Sequence, residues 1–169
     1  MNKDLEALRG KEKVKVLMVC LGNICRSPSA EAMFRNIVRE HGAEGRITVD
    51  SAGTIACHAG QGPDERMIRH AGRRGITMQH VCRKITDDDF RQFDLIIGMD
   101  AKNLQDLRRM APSVEDAAKV HAMSEFFSPD CRYDYVPDPY YEGAEGFELV
   151  LDLLEDSCEN LYTALSGRD

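Results

Sequence analysis

The chain has 169 residues, 43% of them hydrophobic and 30% charged, which suits one folded domain with a real core and argues against disorder. A formal net charge of −7 disfavours nucleic acid and anionic membranes as partners. No apolar run approaches the ~20 residues of a membrane span, and the six cysteines, at 20, 25, 57, 82, 131 and 158, match no zinc spacing. The N-terminus lacks an apolar h-region, so the expectation is a cytoplasmic protein with reduced thiols and neither metal nor cofactor.

Residues 1–12 read as an extension, a frayed tail or a short helix, ahead of a single domain over 13–169. Val14 to Val19 is an apolar run of buried-strand type. Ser27 suits an N-cap and Pro28 a first helical position, followed by a helix over Ser29 to Glu40. Ala30, Met33, Phe34, Ile37 and Val38 share its apolar face, with Glu31, Arg35, Arg39 and Glu40 outward. Gly42 and Gly45 end that helix. Arg46 to Ser51 is a second strand, and Pro63 to Gly75 a helix. Thr86 caps a short acidic helix to Phe93. Asp94 to Met99 is a third strand, and Asp100 caps a helix over Ala101 to Met110. Lys119 to Met123 is a weak fourth strand. Ser128 to Tyr141 is a loop with three prolines, and Gly143 to Ser166 a long helix with a continuous apolar stripe. Strands alternating with helices imply a parallel sheet covered on both faces. The pattern fits a flavodoxin-like, doubly wound, four-stranded α/β sheet in the order 2-1-3-4. Its binding site is expected at the switch point, beyond the carboxyl end of strand 1.

That end carries Cys20-Leu21-Gly22-Asn23-Ile24-Cys25-Arg26-Ser27-Pro28. A loop of this length between a strand and a helix N-terminus can turn successive N–H groups inward as an anion nest. The Arg26 guanidinium at its end meets two oxygens of a phosphate in fork geometry. Cys20 at its start sits beneath the anion, where the same field favours a thiolate placed for in-line attack on phosphorus. An ester also needs its leaving oxygen protonated. Asp138, stiffened between Pro137 and Pro139, could supply that proton and later activate water.

The run V-C-L-G-N-I-C-R-S-P-S-A-E, together with Val136-Pro137-Asp138-Pro139-Tyr140, resembles the low-molecular-weight protein tyrosine phosphatases over about Lys13 to Leu165. The resemblance implies hydrolysis of phosphotyrosine through a phosphocysteine, with Cys20 as nucleophile, Arg26 as oxyanion clamp and Asp138 as general acid. Leu21 to Ser27 would form the phosphate loop. It further implies that Asn23 holds the loop's shape with Ser51 and His80 as its partners. Ser27 would cap the helix, hydrogen-bond the Cys20 sulfur, or both, and Asp100 would support the site as a helix cap. Tyr140 and Tyr141 would form an aromatic wall, and in the family such tyrosines can be phosphorylated. Ile24 suits the tyrosine class, since relatives acting on phosphoarginine carry Thr there.

One feature departs from the family. Relatives carry a large aromatic where Cys57 stands, so either the mouth is wider or His58 substitutes for it. Cys25 is expected as a redox guard, closing a disulfide on a peroxide-generated Cys20 sulfenic acid. The expected partner is a phosphotyrosine protein or peptide, and the expected state a monomer or weak dimer. Two other readings compete: an arsenate reductase on the same scaffold, which needs two further cysteines in one mobile segment, and a phosphate-binding module without turnover.

Overall fold

The computed structural model describes residues 3–167. Its elements in chain order are α1 (Lys3–Leu8), β1 (Val14–Cys20), α2 (Arg26–Glu40), β2 (Ile47–Gly53), α3 (Glu65–Gly72) and α4 (Asp87–Gln92). There follow β3 (Leu95–Gly98), α5 (Ala101–Met110), α6 (Val114–Ala117), β4 (Val120–Ala122), a 3-10 turn (Met123–Phe126) and α7 (Ala144–Ser166). The sheet is parallel with the order β2-β1-β3-β4, as the alternation of strands and helices predicts. Its register places Cys20 opposite Gly53, and Val19 opposite Gly98. The carboxyl ends of β1, β2 and β3 therefore meet at one edge.

Period-2 alternation along β1 feeds two layers. Val16 and Met18 pack with Met33 and Phe34 of α2 and Leu151 and Leu154 of α7. Leu17 and Val19 pack on the other face with Phe90 of α4 and Leu107 of α5. The α7 stripe of Phe147, Val150, Leu151, Leu154, Cys158, Leu161 and Leu165 is buried throughout. Burying a Leu- or Phe-sized side chain is worth roughly 1.5–3 kcal/mol each, so this stripe is what fixes α7 against the sheet. No described helix is long and apolar enough to cross a membrane.

Several expectations are corrected. Helix α2 begins at Arg26 with Cys25 at its N-cap and no side-chain cap hydrogen bond, so Ser27 is not the cap and Pro28 is the third helical residue. Proline is tolerated there because first-turn N–H groups have no intrahelical partner. Glu31 does not point outward: it is 3% exposed and faces β2. Helix α3 is shorter at both ends than expected: the Asp64 carboxylate accepts the Arg66 N–H and starts it at Glu65, and past Gly72 the chain turns through Gly75 at φ 78°. The stretch after Pro112 forms α6, capped by the Ser113 hydroxyl, and β4 is shorter than read. The N-terminal extension is a docked helix in its described part: Leu5 is buried, and Arg46 donates to the carbonyls of Leu8, Arg9 and Lys11 at 2.9, 3.1 and 2.9 Å. Residues 1 and 2 lie outside the described part.

Candidate active site

The chain leaves β1 at Cys20, crosses the loop and enters α2 at Arg26. The turn is possible because Asn23 adopts φ 59°, a left-handed conformation that Asn tolerates better than most residues. Gly53, across the sheet, lets the loop lie close. A Cβ there would stand 2.7 Å from the Leu21 carbonyl oxygen and 3.1 Å from the Asn23 nitrogen, closer than backbone atoms can yield. The Cys20 sulfur is buried, 3.0 Å from Ser27 Oγ and 3.5 Å from the Ser27 N–H. Asn23 Nδ2 donates to Ser27 Oγ at 2.9 Å. That fills a lone pair on the hydroxyl, whose own proton is shared between the sulfur at 3.0 Å and the Ala52 carbonyl at 3.3 Å.

Behind the loop lies a polar network. Asn23 Nδ2 also donates to Ser51 Oγ at 3.0 Å, while Asn23 Oδ1 accepts from His80 Nε2 at 2.6 Å and from the Arg83 N–H at 3.0 Å. Ser51 donates to Glu31 Oε1 at 2.7 Å, and His80 Nδ1 stands 3.1 Å from the same oxygen. Burial works against the Glu31 charge, but hydrogen bonds from His80 and Ser51 outweigh it and hold the carboxyl below its usual range. Ser51 and His80 thus both hydrogen-bond the Asn23 side chain behind the loop. Glu31 was missed, although its spacing of one helical turn from both Ser27 and Arg35 places it beside the loop.

Arg26 is 3% exposed and divides its two terminal nitrogens. Nη1 donates to Asp100 Oδ2 at 2.6 Å and to the Val136 carbonyl at 3.0 Å. Nη2 stands 3.8 Å from Asp138 Oδ2. Burial opposes the guanidinium charge, but the Cys20 sulfur, the Asp100 hydrogen bond and the Asp100 and Asp138 charges outweigh it. Asp100 also caps α5 by accepting the Asn103 N–H at 2.8 Å, so it joins the β3 end to Arg26. Burial pushes the Cys25 thiol well above its ordinary value, with Cys20, Asp64 and Asp138 adding and Arg26 opposing.

These groups surround one cavity of about 230 Å³. Cys20, Leu21, Gly22, Ile24, Cys25 and Arg26 form its floor and sides, and Asp138, Tyr140, Tyr141, Ile55, Cys57 and His58 its rim. Asn23, Ser27, Ser51, His80 and Asp100 stand behind it. Cys57 is at the rim, but the ring there is His58, whose centroid lies 6.4 Å from that of Tyr140. A Cβ on Gly22 would meet the His58 ring at 2.9 Å, so glycine there is what lets the ring settle over the loop. Tyr141 is 95% exposed and packs edge-on against Tyr140 at 4.9 Å. Among the described residues, Glu31, Asp50 and His80 bring possible metal ligands within 4.8 Å of one another. Arg35 already pairs with Glu31 at 2.6 Å and Arg83 with Asp50 at 2.9 Å, supplying the positive charge that a cation would bring.

A family model described as low molecular weight phosphotyrosine protein phosphatase matches residues 15–168. The chain is 42% identical over 156 residues to the low molecular weight phosphotyrosine protein phosphatase of Schizosaccharomyces pombe, covering 92% of this chain and 99% of that one. It is 41% identical over 149 residues to the protein of the same name from Gallus gallus, covering 88% and 93%. A crystal structure of a protein tyrosine phosphatase from Entamoeba histolytica, with Hepes in its active site, superposes with a TM-score of 0.89 at 40% identity, covering 92% of this chain and 98% of that one. By sequence over nearly its whole length, and by fold, this chain belongs to the low molecular weight phosphotyrosine protein phosphatase family.

Proposed function

We propose that this enzyme hydrolyses aryl phosphate monoesters, phosphotyrosine in proteins or peptides, through a phosphocysteine on Cys20. Residues 13–169 serve as the catalytic domain and 1–12 as an N-terminal extension, whose described residues 3–12 dock on it. The Cys20 thiolate attacks phosphorus in line with the leaving oxygen, forming the S–P bond as the P–O bond breaks. Asp138, entering as the acid, gives its proton to the departing phenolate. Water then attacks the phosphocysteine and passes a proton to the Asp138 carboxylate, and Cys20 leaves as thiolate with the Ser27 hydroxyl hydrogen-bonded to it. Arg26 and the loop N–H groups hold the equatorial oxygens throughout. Tyr140, Tyr141 and His58 supply an aromatic rim for the substrate ring, where stacking is worth ~0.5–1.5 kcal/mol.

The observation that carries this reading is the convergence of Cys20, Arg26 and Asp138 on one cavity with Tyr140 at its rim. The structure of the Entamoeba histolytica relative with Hepes, a sulfonate, in its active site agrees with an oxyanion pocket here. The test is hydrolysis of p-nitrophenyl phosphate by wild type, Cys20→Ser and Asp138→Asn. Cys20→Ser is expected to be inactive. Asp138→Asn should lose about 10²–10⁴-fold on phosphotyrosine peptides, the usual contribution of a positioned acid. Wild type without hydrolysis, or phosphoserine peptides cleaved as fast as phosphotyrosine ones, would overturn the reading.

A further inference from the structure

Asp64 and Arg66 belong to no motif in the sequence and take no part in the steps above, yet they lie between the two loops that do. The Asp64 N–H donates to the carbonyl of Ile24, in the phosphate loop, at 2.7 Å. The Asp64 carboxylate accepts Arg66 Nε at 3.1 Å and Nη2 at 2.8 Å, the two-point pairing that a guanidinium makes and an ammonium cannot. Arg66 Nη2 also donates to the Tyr140 carbonyl at 3.0 Å. Its guanidinium lies over two rings, 5.5 Å from the Tyr140 centroid and 4.8 Å from that of Phe147 in α7. The Tyr140 N–H then donates to Asp138 Oδ1 at 3.1 Å. An unbroken chain of polar contacts runs from Ile24 through Asp64, Arg66 and Tyr140 to Asp138.

We propose that the Asp64–Arg66 pair is a positioning device that sets the acid loop against the phosphate loop and so holds the Asp138 carboxyl over Cys20. This rests on the reading of Asp138 as the general acid. The need for it is visible in the loop itself. Upstream, Val136 is fixed on both sides, its N–H to the Met99 carbonyl at 2.8 Å and its own carbonyl to Arg26. From Pro137 to Glu142, the one hydrogen bond arriving from outside the loop among the described residues is that of Arg66. The Asp138 side chain is 47% exposed and stands 3.8 Å from Arg26, too far to be held by that contact alone. The Asp64 carboxyl is kept below its usual range: burial opposes its charge, but the hydrogen bonds from the Arg66 side chain and backbone outweigh that. The pair therefore stays ionised at neutral pH.

The experiment compares Arg66→Met, which keeps an apolar stem against Phe147, and Arg66→Lys with wild type and Asp138→Asn. It measures kcat/KM, which reports formation of the phosphocysteine, on p-nitrophenyl phosphate and on phenyl phosphate, whose leaving group is far less acidic. Both Arg66 variants are expected to lose on the order of 10–100-fold on phenyl phosphate, the scale of an ångström of misplacement. They should lose little on p-nitrophenyl phosphate, and competitive inhibition by inorganic phosphate should be unchanged. In the Asp138→Asn background, Arg66→Met should add nothing. An equal loss on both substrates, weakened phosphate inhibition, additive effects in the double variant, or no change would each overturn the proposal. A wild-type enzyme whose discrimination between the two substrates is unaltered by Asp138→Asn would instead overturn the assignment of Asp138 itself.

Discussion

Replacing Asn23 separates two things that residue does, hold a left-handed backbone and fill four hydrogen bonds. In Asn23→Gly the backbone at φ 59° is still allowed, so only the side chain is lost. Ser51 and Ser27 keep other partners, in Glu31 at 2.7 Å and Ala52 at 3.3 Å. His80 Nε2 still has Ser51 Oγ at 3.2 Å. The Arg83 N–H, which donates to Asn23 Oδ1, has no such alternative and is orphaned in a part-buried place. An orphaned donor costs about 1–3 kcal/mol, and the extra chain freedom of glycine about 0.5–1 kcal/mol, so Asn23→Gly should lose about 1.5–4 kcal/mol. Asn23→Ala loses the same hydrogen bonds and adds the left-handed penalty of ~1–2 kcal/mol that its Cβ meets, so it should be the less stable of the two. Urea unfolding of both variants gives the comparison, and kcat/KM on p-nitrophenyl phosphate gives the functional cost, expected to be at least tenfold because the loop amides no longer converge on one point. Either variant within about 0.5 kcal/mol of wild type, or alanine as stable as glycine, would refute the reasoning; the threshold is the usual span of a surface substitution.

Gly53→Ala should cost about 1–3 kcal/mol as an overpacking substitution and weaken inhibition by inorganic phosphate, since its Cβ would press on Leu21 and Asn23 backbone atoms of the loop; unchanged inhibition would count against it. Peroxide should oxidise Cys20 to the sulfenic acid, which the Cys25 sulfur then attacks with loss of water; peptide mapping should find a 20–25 disulfide with two hydrogens lost, formed faster as pH rises because burial holds Cys25 protonated. Stability should also fall at both ends of the pH scale, read as the urea midpoint. Glu31 has a lowered folded value, so its contribution is present above its ordinary 4.5 and is lost as pH falls through the folded value; Glu31→Gln should blunt that loss. Cys25 and Cys158 have raised folded values, so the unfolded chain gives up their protons first; their contribution is intact below the ordinary 9.0 and is lost as pH climbs above it.

The parts of this molecule legible in its sequence are those where one local rule suffices. Val14 to Val19 has no reading but a buried strand, the α7 stripe repeats at helical spacing, and Asp100 and Thr86 each cap the helix that follows. Cys20, Arg26 and Asp138 were legible because their residue types make chemical sense together. Glu31 was misread because a charge on a helix is solvated by default. Here a buried Ser51 and His80 offer it hydrogen bonds that only the folded sheet brings within reach. Ser27 was misplaced as a cap because Ser-Pro suits a helix start, whereas tertiary contact commits its hydroxyl to Cys20 and Ala52. Gly53, Asp64 and Arg66 carried no local signal. Their importance lies in atoms 30 to 81 residues away in the chain, and one sequence contains no record of that proximity.

The geometry also explains why Asp138, the acid of the proposed reaction, needs separate support while the rest of the site does not. Cys20 ends β1, Ser51 and Gly53 lie at the end of β2, and Asp100 follows β3, so Cys20, Ser51 and Asp100 are each held at the end of a strand of the sheet. Arg26 exploits the two ends of a planar guanidinium: Nη1 is spent on Asp100 and Val136, leaving Nη2 toward the cavity. Lysine, with one nitrogen, would have to abandon either the scaffold or the phosphate. Asp138 belongs to no strand end. It enters from an irregular loop ahead of α7, where main-chain hydrogen bonds are few and motion is cheap. A catalytic acid must nevertheless meet its proton acceptor within hydrogen-bond reach. The loop must therefore borrow rigidity from elsewhere, and Arg66, seated on Phe147 and bound to Asp64, is the side chain placed to lend it.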